Sequence, residues 1–115
     1  MSDPTTKLMD VDEGLKKLGG NKKLYVKLLN SFINQKTYDD LLAYVNGGEV
    51  ENACSAAHAI KGMAANLSLK ALYEDIVTLE TLLKQGVIDD NAMQTVVQSN
   101  ELTKEAINQF ILENS

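Results

Sequence analysis

His58 and Cys54 are the only histidine and the only cysteine in this chain of 115 residues. They bound the nucleophilic chemistry it can do. A neutral imidazole is a usable nucleophile near neutral pH, because its unperturbed pKa is about 6.5. Any Ser–His–Asp or His–Cys arrangement would have to use this one ring. A single cysteine excludes an intramolecular disulfide and a thiolate metal cluster. It also fits a reducing compartment, and a cytoplasmic location is expected. No soft ligand other than Cys54 lies near His58 in sequence, so no metal site and no bound cofactor are expected. All 11 basic residues are lysines, so no guanidinium fork is available for phosphate or carboxylate.

The histidine lies in Ala57-His58-Ala59-Ile60-Lys61-Gly62. Around it, Val50, Ala53, Ala57, Ile60, Ala64 and Leu67 are spaced three, four, three, four and three apart. That is the apolar seam of a helix, built mostly of small residues that allow close approach. At about 100° per residue, His58 points roughly 130° from the seam centre, Gly62 roughly 170°, Ala65 roughly 110° and Lys61 roughly 70°. The ring is therefore expected on an exposed face, with Cys54 one turn before it and Gly62 one turn after. A glycine inside a helix costs up to about 1 kcal/mol relative to alanine. Another chain pressing on this face would account for it. Between Asn52 and Tyr73 the chain carries Lys61 and Lys70 and no Asp or Glu. A phosphoryl group on His58 would lie beside an ammonium, with no near sequence neighbour repelling it. Cys54 is read as a half-buried filler. Tyr25, Tyr38, Tyr44 and Tyr73 are read as residues at the edge of a core, with Tyr73 flanking the exposed face.

Several helices must position this segment. Asp10, with Glu13 three residues on, predicts the start of a short helix over Val11–Leu18. Gly19–Gly20 ends it, and the residues up to Asp10 are expected to be loose. Asn21 caps a helix through about Gln35, with Leu24, Leu28, Leu29, Phe32 and Ile33 inward. Thr37 caps a continuation over Tyr38–Val45, separate or kinked. After Gly47–Gly48 comes the seam helix, then Ser68 as cap of the next. Leu69, Leu72, Ile76, Leu79 and Leu83 form its large-residue seam. A small seam facing a large one across a short turn is a natural antiparallel pair. Asp89 caps a last helix with Met93, Val96, Val97, Ile107, Phe110 and Ile111 inward, bending or fraying over Asn100–Lys104.

No segment alternates as a strand would. The reading is all-α: an antiparallel up-and-down four-helix bundle with a short additional N-terminal helix. It is one domain over residues 1–115, with an ordered core from about 10 to 113. The net charge of −5 argues against a nucleic-acid binder. No window approaches a membrane span, and the first ten residues lack a signal-peptide pattern.

The segment Ala57–Leu67 resembles the signature of histidine-containing phosphotransfer (HPt) domains: histidine, a hydrophobic residue, lysine and glycine, then small residues and a leucine. Val11-Asp12-Glu13-Gly14-Leu15, Gly19-Gly20-Asn21 and Tyr25, Leu28, Leu29 and Phe32 resemble the family's opening. Leu72 and Glu80 fit its next helix. The similarity covers roughly residues 10 to 112. Ser68 departs from the family's usual glycine, and Ile60 replaces the commoner leucine. The resemblance implies a phosphorelay intermediate with no nucleotide site and no kinase activity of its own. It implies His58 as phosphoacceptor and Lys61 as neutralising charge. Gly62 would give a receiver domain room, and Cys54, Ala65 and Asn66 would line the docking face. The implied partners are receiver domains, which supply Mg²⁺ and aspartates, and possibly a hybrid histidine kinase. A monomer is expected. A helical adaptor that binds a receiver or other signalling protein without being phosphorylated is the alternative. A histidine-kinase dimerisation domain fits poorly, since Ala59 follows His58 and no proline lies downstream.

Overall fold

The computed structural model describes residues 8–114. Six helices follow one another: α1 (Val11–Lys17), α2 (Lys22–Asn34), α3 (Thr37–Asn46), α4 (Val50–Leu67), α5 (Lys70–Lys84) and α6 (Asp90–Asn114). The described residues contain no strand. The all-α bundle holds. α4 packs against α3 and α5, α5 against α6, and α2 closes the ring by touching both α4 and α6. No described helix is long and apolar enough to cross a membrane.

The centre is the α4–α5 pair, the most extensive helix contact in the molecule. Ala53, Ala57, Ile60, Ala64 and Leu67 are buried on α4, and Leu72, Ile76, Leu79 and Leu83 on α5. Each large apolar side chain removed from water there contributes roughly 1.5–3 kcal/mol. Small residues on α4 let the backbones approach, so the larger ones on α5 fill the gap.

Tyr25 ties the periphery to this pair. It is fully buried, and its hydroxyl donates to the Leu67 carbonyl at 2.8 Å. Its ring meets Phe110 of α6 edge-on at 5.6 Å. Burial first, then the charges of Asp10 and Glu13, pushes its pKa up to about 12. Gly14 is needed on the other side: a Cβ there would come within 2.7 Å of the Tyr25 ring. α1 is also pinned by charge. Glu13 pairs with Lys17 at 3.2 Å and Lys70 at 2.6 Å, and Lys17 donates to the Ala65 carbonyl at 2.6 Å. Hydrogen bonds from Lys70 and Lys17 lower the Glu13 pKa to about 2.

Five local expectations change. The loose start lies outside the described residues only up to residue 7. Met9 is buried, and the Asp10 amide donates to the Ser68 carbonyl at 2.8 Å. Thr37 does not cap α3; Lys36 holds that position, and the Gln35 side chain takes the Thr37 amide. Leu24 and Leu28 are exposed, because α2 leans its Tyr25, Leu29 and Phe32 stripe inward instead. α6 does not fray at its polar stretch but runs unbroken through it. Ser99, Asn100 and Thr103 are buried, with the Ser99 hydroxyl donating to Asp75.

Ser68 is the fifth. It does not cap α5, whose N-cap is Leu69. It ends α4 in the left-handed region at φ 57°, and its buried hydroxyl has no hydrogen-bond partner among the described residues. A non-glycine residue there costs roughly 1–2 kcal/mol, and an unsatisfied buried hydroxyl adds to this. Ser68→Gly is therefore expected to raise the melting temperature, by about 1 kcal/mol of stability after glycine's extra unfolded-state entropy is counted. Tyr25→Phe is expected to lower stability by about 1–3 kcal/mol, since it strands the Leu67 carbonyl. Urea denaturation of both variants checks the two signs.

Candidate functional site

The α4–α5 pair brings one carboxylate and three cationic or nucleophilic groups together. On α5, Glu80 lies four residues after Ile76 and three before Leu83, at roughly 60° from the centre of the apolar seam. Lys61 lies at a similar angle from the α4 seam, so the two meet where the helices join. The Glu80 side chain is only 4% exposed. Its Oε1 lies 2.6 Å from the Lys61 Nζ, and its Oε2 lies 2.8 Å from His58 Nδ1 and 3.8 Å from the Lys84 Nζ.

Charge fixes the histidine's tautomer. Burial opposes ionisation of Glu80, but hydrogen bonds from Lys61 and His58, then the charges of Lys61 and Lys84, more than offset it. Its carboxyl ends below the usual range and stays ionised. An ionised carboxylate only accepts hydrogen bonds, so Nδ1 must carry a proton and donate it. In the neutral ring the lone pair then lies on Nε2. The His58 side chain is 69% exposed although Nδ1 is engaged. The exposed part is therefore the side that carries Nε2. The hydrogen bond from Lys61 to Glu80 raises the lysine's pKa, so its ammonium stays charged.

The span around His58 is free of acid in sequence but not in space. Glu80 enters from the next helix, directly beside the ring. In sequence Glu80 stands out only as fitting the helix after the signature. The available signal was a charged residue on the edge of an apolar stripe, which is buried only when paired.

The remaining candidates separate into two flanks of α4. Gly62 is exposed, and a Cβ built on it would meet nothing within 4 Å. No contact among the described residues requires this glycine. Asn66 is exposed and lies with Met63 along a groove walled by Leu28, Ser31 and Phe32 of α2. Ala65 is half-buried on the opposite flank, beside Glu13, Lys17, Lys70 and Tyr73. Cys54 is half-buried and free. No cluster of three or more His, Cys, Asp or Glu able to hold a metal occurs among the described residues.

A rigid nucleophile with its lone pair outward is what this arrangement can supply. ¹⁵N NMR of the neutral ring is expected to show Nδ1 protonated and Nε2 bare. Glu80→Ala is expected to shift the population toward the Nε2-protonated tautomer. The acid dependence has a definite sign. Glu80's folded pKa lies below its ordinary 4.5, so its ion pairs contribute fully above that value and are lost as pH falls through the lower one. The stability these pairs contribute, read from urea midpoints, is expected to hold at pH 5 and to decline as pH falls below about 4.5.

A family model, the Hpt domain, matches residues 28–110. Comparison with curated proteins and with solved structures found no match. The matched region holds α4, α5 and all four members of the His58–Glu80–Lys61–Lys84 cluster. Hpt domains serve phosphorelay signal transduction and interact with receiver domains. With a helical bundle that presents a single histidine next to a lysine and a glycine, and with the match spanning well over half its length, the chain belongs to the Hpt domain family.

Proposed function

We propose that this chain is a phosphorelay intermediate that takes a phosphoryl group onto His58 from a receiver's aspartyl phosphate and hands it to another receiver aspartate. The observation that carries the reading is the His58–Glu80 hydrogen bond at 2.8 Å on a ring that is 69% exposed. It leaves the nucleophilic nitrogen outward and fixed in direction, which lowers the entropy cost of in-line attack.

The step balances without a base. Nε2 attacks phosphorus, the P–O bond to the donor carboxyl breaks, and the donor aspartate leaves as a carboxylate. The Nδ1 proton stays on the ring. The phosphorylated ring is then formally cationic, and the Glu80 carboxylate faces that new charge. A cationic ring is a good leaving group, so the same feature favours onward transfer. Lys61 adds its positive field to the incoming phosphoryl oxygens while remaining on Glu80. The partner receiver contributes the metal ion and the aspartates.

Gly62 supports the docking part of the reading. A side chain there would have room within the chain, yet the helix carries glycine's penalty one turn from the nucleophile. Lone Cys54 is a free thiol, and on that ground we place the relay in a reducing, cytoplasmic setting.

Incubation with a phosphorylated receiver and Mg²⁺ is expected to give an acid-labile, alkali-stable label that His58→Gln abolishes. A label that survives that substitution would sink the carrier mechanism. Gly62→Glu is expected to lower the transfer rate about tenfold or more. It should leave the melting temperature unchanged or raise it, since any residue relieves glycine's cost. Loss of transfer with loss of folding would refute the reading of Gly62.

A further inference from the structure

Two lysines flank Glu80, and the structure distinguishes them. The Lys61 Nζ lies 2.6 Å from Oε1 and its side chain is 26% exposed. It is the close partner of a carboxylate that is 4% exposed. Pulling Lys61 away would leave a buried charge short of its main counter-ion, which is strongly unfavourable. Lys84 is held differently. Its Nζ lies 3.8 Å from Oε2, beyond hydrogen-bond distance, and its side chain is 61% exposed. It is a long, solvated side chain whose ammonium is loosely attracted to Glu80.

The two also differ in which oxygen they use. Lys84 and His58 share Oε2. With a neutral imidazole that is tolerable, since the carboxylate faces one donor dipole and one cation there. A phosphoryl group on Nε2 changes both partners at once. The ring becomes cationic, so Oε2 would face two positive charges side by side. A dianionic group would also appear on the outer side of the ring, within the sweep of the Lys84 side chain. Repulsion at Oε2 and attraction to the phosphoryl oxygens act on Lys84 in the same direction.

We propose that Lys84 is the side chain that meets the phosphoryl group: it leaves Glu80 when His58 is phosphorylated and supplies the counter-charge, while Lys61 stays with Glu80. No covalent bond to Lys84 forms or breaks; the ammonium keeps its three protons and moves from the neighbourhood of one anion to that of another. This rests on His58 being the phosphoacceptor, and it divides labour between two lysines of the same charge.

The test needs no receiver. The full chain is treated with subsaturating potassium phosphoramidate, and phosphohistidine is quantified alongside side-chain ammonium NMR of the lysines. Phosphorylation is expected to move the Lys84 ammonium resonance more than that of Lys61. Lys84→Gln is expected to lower the phosphohistidine yield roughly three- to fivefold at low salt, with the deficit shrinking at high salt. Lys84→Arg is expected to restore the yield, because charge rather than shape is required. Circular dichroism should be unchanged, since this side chain is exposed. A Lys84→Gln yield equal to that of the unsubstituted chain would overturn the assignment, and so would a shift confined to Lys61. If the unsubstituted chain takes no phosphoryl group on His58 from phosphoramidate or from a receiver, the carrier reading itself falls. That outcome is distinct from a phosphorylated chain indifferent to Lys84.

Discussion

A carboxylate that is 4% exposed is stable only if its charge is answered on the spot. Glu80 meets that requirement with Lys61 on one oxygen and with His58 and the more distant Lys84 on the other. The rest of the site follows. An ionised Glu80 can only accept, so the histidine must donate through Nδ1. A donating Nδ1 leaves the lone pair on Nε2. A ring held by its inner nitrogen cannot rotate freely, so that lone pair has a fixed outward direction. The surface side chain thereby acquires the definition usually reserved for a buried one, and it remains reachable by a partner.

The bundle exists to hold two helices at the distance this contact needs. Alanines on α4 bring the backbones together, and leucines and isoleucine on α5 fill the space between them. Tyr25 then fastens the end of α4 to α2 and α6 through one hydrogen bond and one edge-on ring contact. α1 sits outside this frame. The Glu13–Lys70 ion pair and the Lys17 hydrogen bond to the Ala65 carbonyl give modest, salt-sensitive attachment, and burial of Met9 and the close Gly14–Tyr25 approach do more to seat the N-terminal segment.

The helix seams were legible because their spacing is regular and their residue types are unmixed. Val50-to-Leu67 and Leu69-to-Leu83 read correctly as the two faces of one antiparallel pair, and the angle of His58 from its seam put it on the outer surface. What was not legible was anything set by a residue on another element. Glu80 is 22 residues from His58, and no local pattern says which charge will fold against the ring. Leu24 and Leu28 fit the apolar period of α2, yet the tilt of that helix is decided by where Tyr25 is anchored. Ser68 has the side chain of a cap but the backbone of a helix end, because the tight turn into α5 demands φ 57°. The polar run in α6 suggested a break, whereas partners such as Asp75 let part of it be buried in place.

The turn at Ser68 has one more consequence. It joins α4 directly to α5, so the nucleophile, its orienting carboxylate and both lysines all belong to a single helical hairpin. The loop that must close to bring them together is short, and its entropy cost rises only slowly with length. Contacts of this kind form early when a chain collapses, because they do not wait for distant segments to meet. Functional geometry in this protein is thus a nearly local property of 35 consecutive residues, Val50–Lys84, with the other helices serving to keep that hairpin shut and dry.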